Sequence, residues 1–174
     1  MNAHTAPPRK PQTDPEMDQL ALRNVMGQFA TGVTVITTLG PDGAPVGMAA
    51  NSFASVSLDP PLILWSIGLK AHSLPAFRGH GGFAINILCE DSKDLALNFA
   101  RPSEDKFAGV AWRSGYAGVP VLDSAAAVLQ CRTEQRLPGG DHEIYIGRVM
   151  DFHQREKSPL LFHKGKFAKM GEFL

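Results

Sequence analysis

The stretch between residues 47 and 61 combines small side chains with hydrogen-bonding groups, as a ligand-binding segment would. Asn51, Ser52, Ser55 and Ser57 supply amide and hydroxyl groups within it. The small residues around them would let a planar ligand approach the backbone closely, so that main-chain N–H groups could serve the same ligand. A ring with a polar edge is the kind of ligand that suits this stretch. The alternative interpretation is a Ser-rich bend between two strands.

A second group of polar residues precedes a predicted short helix over residues 73–78. Lys70, His72 and Ser73 place a cation, an imidazole and a hydroxyl at the start of that helix. Such a set suits a dianionic group such as a phosphate. The alternative is that Lys70 is an ordinary solvated lysine in a loop.

His142 follows the sequence Gly-Gly-Asp and is predicted to begin a strand. A glycine-rich turn at that point could project the imidazole into a cleft, although a histidine at the start of a strand is often only a surface residue. The six histidines and two cysteines show no spacing typical of a zinc site, so we predict no metal. No nucleophile or carboxylate pair is evident.

Four segments, in order along the chain, resemble the flavin reductase-like family, the small reductase components of two-component flavin monooxygenases. They are QFATGVTVITT (28–38), GMAANSFASVSLDPPL (47–62), GDH (140–142) and PLLF (159–162). The resemblance covers nearly all of the chain after its first residues. It implies a Greek-key split barrel that binds flavin, usually as a homodimer with the flavin near the subunit interface.

The resemblance implies that Ala49, Ala50, Asn51 and Ser52 line the flavin ring and its ribityl chain. Many relatives have threonine where this chain has Ala49, so any role of that residue must be played by its backbone. Ser57 is a further candidate, and its alternative role is to cap the bend that follows it.

Other candidate positions also follow from the resemblance. Lys106 and Phe107 resemble a family segment near the flavin ring, with ordinary packing as the alternative for Phe107. His142 would contact nicotinamide or the flavin edge, and Phe162 and His163 would add to the nicotinamide site.

The function implied by the resemblance is an NAD(P)H-dependent flavin reductase. It would transfer a hydride from NADH or NADPH to FMN or FAD and supply reduced flavin to a partner monooxygenase. The flavin would carry the reactivity, which agrees with the lack of an evident nucleophile. Two alternatives stay open: an FMN-bound reductase of another acceptor, such as a corrinoid or a ferric chelate, and a non-enzymatic flavin-binding electron carrier.

Composition narrows the range of partners. The chain of 174 residues has 17 Lys and Arg against 17 Asp and Glu, with no basic block, so we do not expect nucleic-acid binding. Its apolar runs are far shorter than the ~20 residues that cross a bilayer, and the first residues carry no secretory apolar stretch. We therefore expect a cytoplasmic protein without membrane contact, in which Cys89 and Cys131 are buried thiols.

Residues 1–15 are polar, rich in proline and without periodicity, which predicts a disordered tail. Residues 16–174 are predicted to form one mainly β domain. An apolar stripe predicts a first helix that ends before Gly32, and two further short helices are predicted over residues 73–78 and from Ser92 to Phe99. Strands are predicted over residues 33–38, 44–50, 62–66, 83–88, 125–137, 142–154 and 167–170. Because short helices separate many strands, and no dinucleotide-binding glycine motif follows a strand, we predict an antiparallel barrel rather than a doubly wound sheet.

Overall fold

A computed structural model of the protein describes residues 17–103 and 105–173. The tail predicted over residues 1–15 lies outside the described residues. The helices are α1 (Gln19–Met26), α2 (Leu74–His80) and α3 (Lys93–Ala100). The strands are β1 (Thr31–Gly32), β2 (Thr34–Leu39), β3 (Pro45–Ala50), β4 (Ala54–Leu58), β5 (Pro61–Gly68), β6 (Gly82–Leu88), β7 (Trp112–Ser114), β8 (Pro120–Leu122), β9 (Ala125–Gly139), β10 (His142–Gln154), β11 (Leu161–His163) and β12 (Lys166–Ala168). The predicted mainly β class is confirmed.

Seven strands form the main sheet in the order β3-β2-β6-β9-β10-β5-β4, and all their pairings are antiparallel. The chain crosses from β5 to β6, which lie apart in the sheet, as Greek-key connections do. The sheet does not close on itself, since β3 and β4 are its edges. A small sheet of β1, β11 and β12 and a ribbon of β7 and β8 accompany it.

The stretch of residues 47–61, which we call the serine-rich stretch, contains a strand that the sequence did not predict. β4 pairs with β5 as an antiparallel edge strand, and the turn between them contains a cis Asp59–Pro60 peptide bond. An edge strand is paired on one side only, and four of the five residues of β4 are exposed. Without a buried face, the segment lacks the apolar alternation by which a strand is recognised in a sequence.

The first helix is shorter than predicted and its apolar stripe stays exposed. The carboxylate of Asp18 caps α1 by accepting hydrogen bonds from the backbone N–H groups of Leu20 and Ala21. No residue of α1 is buried, and Val25 is 68% exposed. The stripe therefore does not face the core formed by the described residues.

The core has two main parts. In the first, the stacked rings of Trp65 and Tyr145, with centroids 4.8 Å apart, pack with Phe77 and Phe83 between the sheet and α2. The second is centred on Phe99 of α3 and includes residues of β2, β6 and β8. Burial of large aromatic side chains is a main source of stability in a domain of this size.

Both cysteines are free and buried, as predicted. Burial raises the pKa of the Cys131 thiol to about 12, so it remains protonated at neutral pH. Among the described residues, no helix has both the length and the apolar character needed to cross a bilayer.

Candidate functional site

A cleft of about 700 Å³ opens beside the edge strand β3. Three segments form its walls: residues 45–49 of β3, residues 71–73 before α2, and the end of α3 with the loop that follows it. Its lining residues are Pro45, Val46, Gly47, Met48, Ala49, Ala71, His72, Ser73, Phe99, Ala100, Arg101, Pro102, Ser103, Asp105, Lys106 and Phe107. The structure thus brings together five of the predicted site residues: Ala49, His72, Ser73, Lys106 and Phe107.

Gly47 lets β3 approach two aromatic rings of this cleft. The rings of Phe99 and Phe107 meet edge to face with centroids 5.1 Å apart. A Cβ atom at position 47 would lie 2.6 Å from Cε1 of Phe99 and 3.3 Å from Cζ of Phe107. Only glycine fits against these rings without a displacement.

Two hydrogen bonds join the loop that follows α3 to the last residues of that helix. Lys106 donates from Nζ to the carbonyl oxygen of Phe99 (2.9 Å), and Asn98 donates from Nδ2 to the carbonyl oxygen of Lys106 (2.6 Å). The cation thus lies at the C-terminus of α3, where the last carbonyls favour it. Burial lowers the pKa of the Lys106 ammonium group. Lys106 therefore lines the cleft with its charged end bound to the backbone.

Sequence reasoning missed several lining residues, of which Phe99 and Arg101 are the most informative; Gly47 lies within the stretch predicted to bind a ligand. Arg101 was not among the predicted site residues. In the structure it lines the same cleft as His72 and Ser73. Local sequence carries no signal for this arrangement, because β3 and the loop after α3 are far apart in the chain.

The serine-rich stretch contributes less to the cleft than expected. Beyond Ala49, the predicted residues Ala50, Asn51 and Ser52 are not among its lining residues. The Nδ2 group of Asn51 donates to the hydroxyl of Thr31 (3.3 Å), and Asn51 is exposed at the end of β3. The hydroxyl of Ser52 both donates to and accepts from the backbone of Ser66 (3.0 Å each), so it joins the segment before β4 to β5.

The remaining predicted residues lie outside this cleft. Ser57 is on β4, paired with Leu62, and Lys70 is exposed after β5. Phe162 and His163 are on β11, where Phe162 packs against Phe167 with ring centroids 5.4 Å apart. Phe162 also packs against the same core cluster as Ala49, so β11 lies close to the end of β3.

His142 begins β10 as predicted, but it lines a second hollow rather than the cleft. This hollow has a volume of about 580 Å³. The Nδ1 atom of His142 lies 2.7 Å from Oδ1 of Asp141, and this contact lowers the pKa of the Asp141 carboxyl. The side chain of His142 is 47% exposed.

The segment of residues 68–73 contributes lining residues to both depressions. Leu69 lines the hollow, and its backbone N–H donates to the carbonyl oxygen of Asp141 (2.9 Å). Ala71, His72 and Ser73 line the cleft. The cleft and the hollow that His142 lines are therefore both bordered by this short segment.

Comparisons with known proteins show to which family the chain belongs. Residues 26–171 match the family model described as the flavin reductase like domain. The chain is 44% identical over 146 residues to the reductase component of a flavin-dependent trigonelline monooxygenase from Acinetobacter baylyi, covering 84% of this chain and 47% of that protein. It is 41% identical over 153 residues to the reductase subunit of a flavin-dependent monooxygenase from Rhodococcus jostii, covering 87% of this chain and 78% of that protein.

Among solved structures, an NADH:FAD oxidoreductase of Streptomyces globisporus in complex with NAD and FAD fragments is similar to the model. Its TM-score is 0.84 at 38% identity, and the match covers 88% of this chain and 93% of that chain. The predicted antiparallel split-barrel fold is confirmed by this likeness. The chain spans about half the length of the first curated relatives that it matches. With the family model covering most of its length, the chain belongs to the flavin reductase-like domain family.

Proposed function

We propose that the protein is an NAD(P)H-dependent flavin reductase that transfers a hydride from nicotinamide to FMN or FAD. The observation that carries this proposal is the cleft beside β3, in a chain of this family, with a glycine packed against two aromatic rings. Its volume of about 700 Å³ lies within the range usual for small-molecule sites. When bound, the flavin would supply the hydride acceptor.

The residues of the cleft fit a flavin. Gly47 has no side chain and that of Ala49 is a single methyl group, so a flat ring could lie against β3. Ser73 keeps a hydroxyl in the cleft, which donates to the sulfur of Met48 (3.5 Å) when no ligand competes. Ala50, Asn51 and Ser52 extend the same strand end, and we propose that Asn51 meets the ligand there from its exposed position.

The flavin phosphate needs a cation, and three side chains are candidates. His72 lines the cleft and Lys70 is exposed two residues earlier. Arg101 also lines the cleft, and a guanidinium group can bind a phosphate with two parallel hydrogen bonds. We propose that Arg101 shares this role with the segment of Lys70, His72 and Ser73.

Nicotinamide must reach the flavin to within about 3–3.5 Å for hydride transfer. We propose that His142, which lines the second hollow, positions the nicotinamide nucleotide. Phe162 and His163 remain candidates on the side of β11. The chain's own residues would orient the two ligands, since no proton transfer by a side chain is required for the hydride step itself.

A homodimer is also part of the proposal, because large apolar side chains are exposed on two faces. Val25 and Met26 of α1 are 68% and 61% exposed, and Phe152 of β10 is 74% exposed. Apolar patches of this kind often mark interfaces between protein chains. Light scattering after gel filtration should give twice the mass of one chain. If the face of β10 that carries Phe152 forms the interface, Phe152→Glu should lower the measured mass toward that of one chain. A monomeric wild-type protein would exclude this part of the proposal.

The relatives named as reductase components support a partner monooxygenase as the consumer of reduced flavin. We propose a cytoplasmic location on the basis of the two free cysteines, which are typical of a reducing compartment.

Anaerobic mixing with NADH or NADPH and with FMN or FAD tests the activity directly. We expect bleaching of the flavin at a rate that depends on the protein concentration. A bound flavin that neither nucleotide reduces would overturn the enzymatic proposal and favour a flavin-binding electron carrier. If the flavin is reduced, mixing the protein with a two-component oxygenase that lacks its own reductase tests delivery of the reduced flavin.

A further inference from the structure

Met48 places a thioether in the wall of the cleft. It is the one methionine among the lining residues of the cleft, and it is half-buried. The four other methionines that the structure describes are 38% to 61% exposed and do not line the cleft: Met17, Met26, Met150 and Met170. Peroxides oxidise a thioether to a sulfoxide, which is polar and can be reduced again by methionine sulfoxide reductases. Oxidation of Met48 would therefore alter the candidate flavin site, whereas oxidation of the other four would alter the surface.

The sulfur of Met48 joins two walls of the cleft. Met48 lies on β3, where it pairs with Ile36 of β2. The hydroxyl of Ser73 donates to its Sδ atom (3.5 Å) from the segment before α2. The same side chain packs against the aromatic core cluster that contains Trp65 and Phe77. An atom added to the sulfur must therefore be accommodated toward Ser73 or toward this cluster.

An oxygen atom on this sulfur would disturb the cleft in either direction. Directed toward Ser73, it would take the place in which the hydroxyl now meets Sδ, and the wall of residues 71–73 would move away from β3. Directed toward Trp65, it would add a polar atom to a packed aromatic cluster, which is costly in a close-packed interior. In both cases the wall that carries His72 and Ser73 shifts, so we expect a flavin to bind less tightly.

The proposed activity can supply the oxidant. Dioxygen that meets a two-electron reduced flavin takes up two electrons and two protons and becomes hydrogen peroxide, which leaves the flavin oxidised. One oxygen atom of the peroxide then forms a bond to the thioether sulfur, which loses two electrons, while the O–O bond breaks and the other oxygen leaves as water. Dioxygen is thus the one reactant required in addition to the reduced flavin.

The two cysteines are poor alternatives as targets of the peroxide. Cys89 and Cys131 are 1% and 0% exposed, and neither lines the cleft. Burial raises the pKa of both thiols, that of Cys131 to about 12, so both stay protonated at neutral pH. The thiolate is the form that peroxide oxidises, whereas a thioether reacts without losing a proton.

We propose that Met48 is a site of reversible oxidation by hydrogen peroxide, and that its sulfoxide weakens flavin binding in the cleft. Reduced flavin that forms faster than an acceptor consumes it would then limit its own production through the peroxide. A methionine sulfoxide reductase would restore the site. The inference rests on the proposed function and adds to it a modification that regulates the same cleft.

Flavin binding after peroxide treatment tests the inference without turnover. The protein is treated with hydrogen peroxide, catalase removes the excess, and the Kd of FMN is measured by flavin fluorescence. Peptide mass spectrometry should show an added oxygen at Met48, and the Kd should rise about 10-fold or more. Treatment with the reductases for both sulfoxide epimers should return the Kd to its untreated value.

Met48→Leu and Met150→Leu form a matched pair, and each is compared with its own untreated sample. Leucine keeps an apolar side chain at position 48 and cannot be oxidised, so the Kd of Met48→Leu should not change on treatment. Met150 is 44% exposed on β10 and does not line the cleft, so Met150→Leu should lose flavin affinity as the wild-type protein does. Met48→Gln, which carries a polar oxygen near the position of the sulfur, should bind FMN less tightly without any peroxide.

Three results would overturn the inference. The first is an equal rise of the Kd in treated Met48→Leu and treated wild-type protein, since another residue would then be responsible. The second is a sulfoxide at Met48 with an unchanged Kd, and the third is an unoxidised Met48 in protein whose Met150 is fully oxidised. Untreated wild-type protein that binds no flavin would instead refute the proposed function. Thermal unfolding of every sample checks that it is folded.

Discussion

Gly47 on β3 packs against the ring of Phe99 on α3, and a Cβ atom at position 47 would lie 2.6 Å from Cε1 and 2.9 Å from Cδ1 of that ring. This relationship fixes the distance between the edge strand and the helix that form two walls of the cleft. Because both ring atoms would be closer than a carbon–carbon contact allows, the ring must move if residue 47 gains a side chain.

Gly47→Ala should therefore damage both stability and flavin binding. We expect a loss of roughly 1–3 kcal/mol in the free energy of unfolding, the usual cost of overpacking, and a larger Kd for FMN. Gly79→Ala in α2 is the matched control, since a Cβ atom there meets nothing within 4 Å and alanine favours a helix. Urea unfolding and flavin fluorescence titration measure the two effects. A Gly47→Ala protein as stable as Gly79→Ala would contradict the packing argument.

Arg101→Gln should weaken binding of FMN much more than binding of riboflavin, which lacks the phosphate. The same pair of ligands applied to Lys70→Ala decides which cation meets that group. Arg101 lines the cleft whereas Lys70 does not, so we expect the larger loss of FMN affinity in Arg101→Gln. Added salt should reduce the difference, because both sites are open to solvent. If both variants lose FMN and riboflavin equally, neither cation binds the phosphate.

Asn51→Ala tests the ligand role of an exposed side chain. Asn51 donates to Thr31 (3.3 Å), so its removal alone does not show whether a ligand or the protein has lost the contact. Thr31→Val removes the same internal hydrogen bond and keeps the amide. We expect Asn51→Ala to weaken flavin binding by about 1–3 kcal/mol, and Thr31→Val to change it little. Similar losses in the two variants would assign Asn51 to holding β1 in place.

His142→Ala should raise the apparent KM for NADH or slow hydride transfer while the Kd of the flavin changes little. A displacement of ~1 Å in a reaction that depends on positioning can cost about 10²-fold in rate. Asp141→Asn removes the charge that lies 2.7 Å from Nδ1 of His142, so it should reproduce part of the effect if orientation of the ring is what counts. Single-turnover bleaching of bound flavin separates reduction from release. If His142→Ala protein reduces flavin at the wild-type rate at every NADH concentration, the role of His142 is structural.

Acid should remove a stabilising contribution of Glu134. Hydrogen bonds from Arg148, with Nε at 3.1 Å and Nη2 at 2.9 Å, lower the pKa of this carboxyl to about 2. Since the pKa is about 4.3 in an unfolded chain, the contribution is fully present above that value and is lost as the pH falls toward 2. Glu134→Gln should flatten the decline of stability between these pH values.

Glu156→Gln is the control for this pH dependence, because Glu156 makes no ion pair within 4 Å among the described residues. Urea unfolding at several pH values between 2 and 6 compares the two variants with the wild-type protein. If the free energy of unfolding depends on pH in the same way in Glu134→Gln and in the wild-type protein, the carboxylate of Glu134 is not paired in solution.

Much of the fold followed from local sequence, because the properties that define it are local. The β-branched run of β2 and the Gly-Gly-Asp turn before His142 predicted two strands and a hairpin that the structure contains. Four segments in order along the chain were enough to indicate the family. The strand β4 was missed because an exposed edge strand need not alternate apolar and polar residues.

The candidate site is formed by segments that are far apart in the chain, so no local sequence pattern predicts it. His72 and Ser73 were recognisable as polar residues before a helix, but only the packing of α3 against β3 brings Arg101 to the same cleft. Lys106 was predicted to lie near the flavin ring, and only the structure shows that its ammonium group is bound to the carbonyl oxygen of Phe99. The pairing of β10 with β5 sets His142 opposite Gly68, where it lines the second hollow and not the cleft. Residue types thus determined which chemistry was available, and the register of the sheet decided which groups share a site.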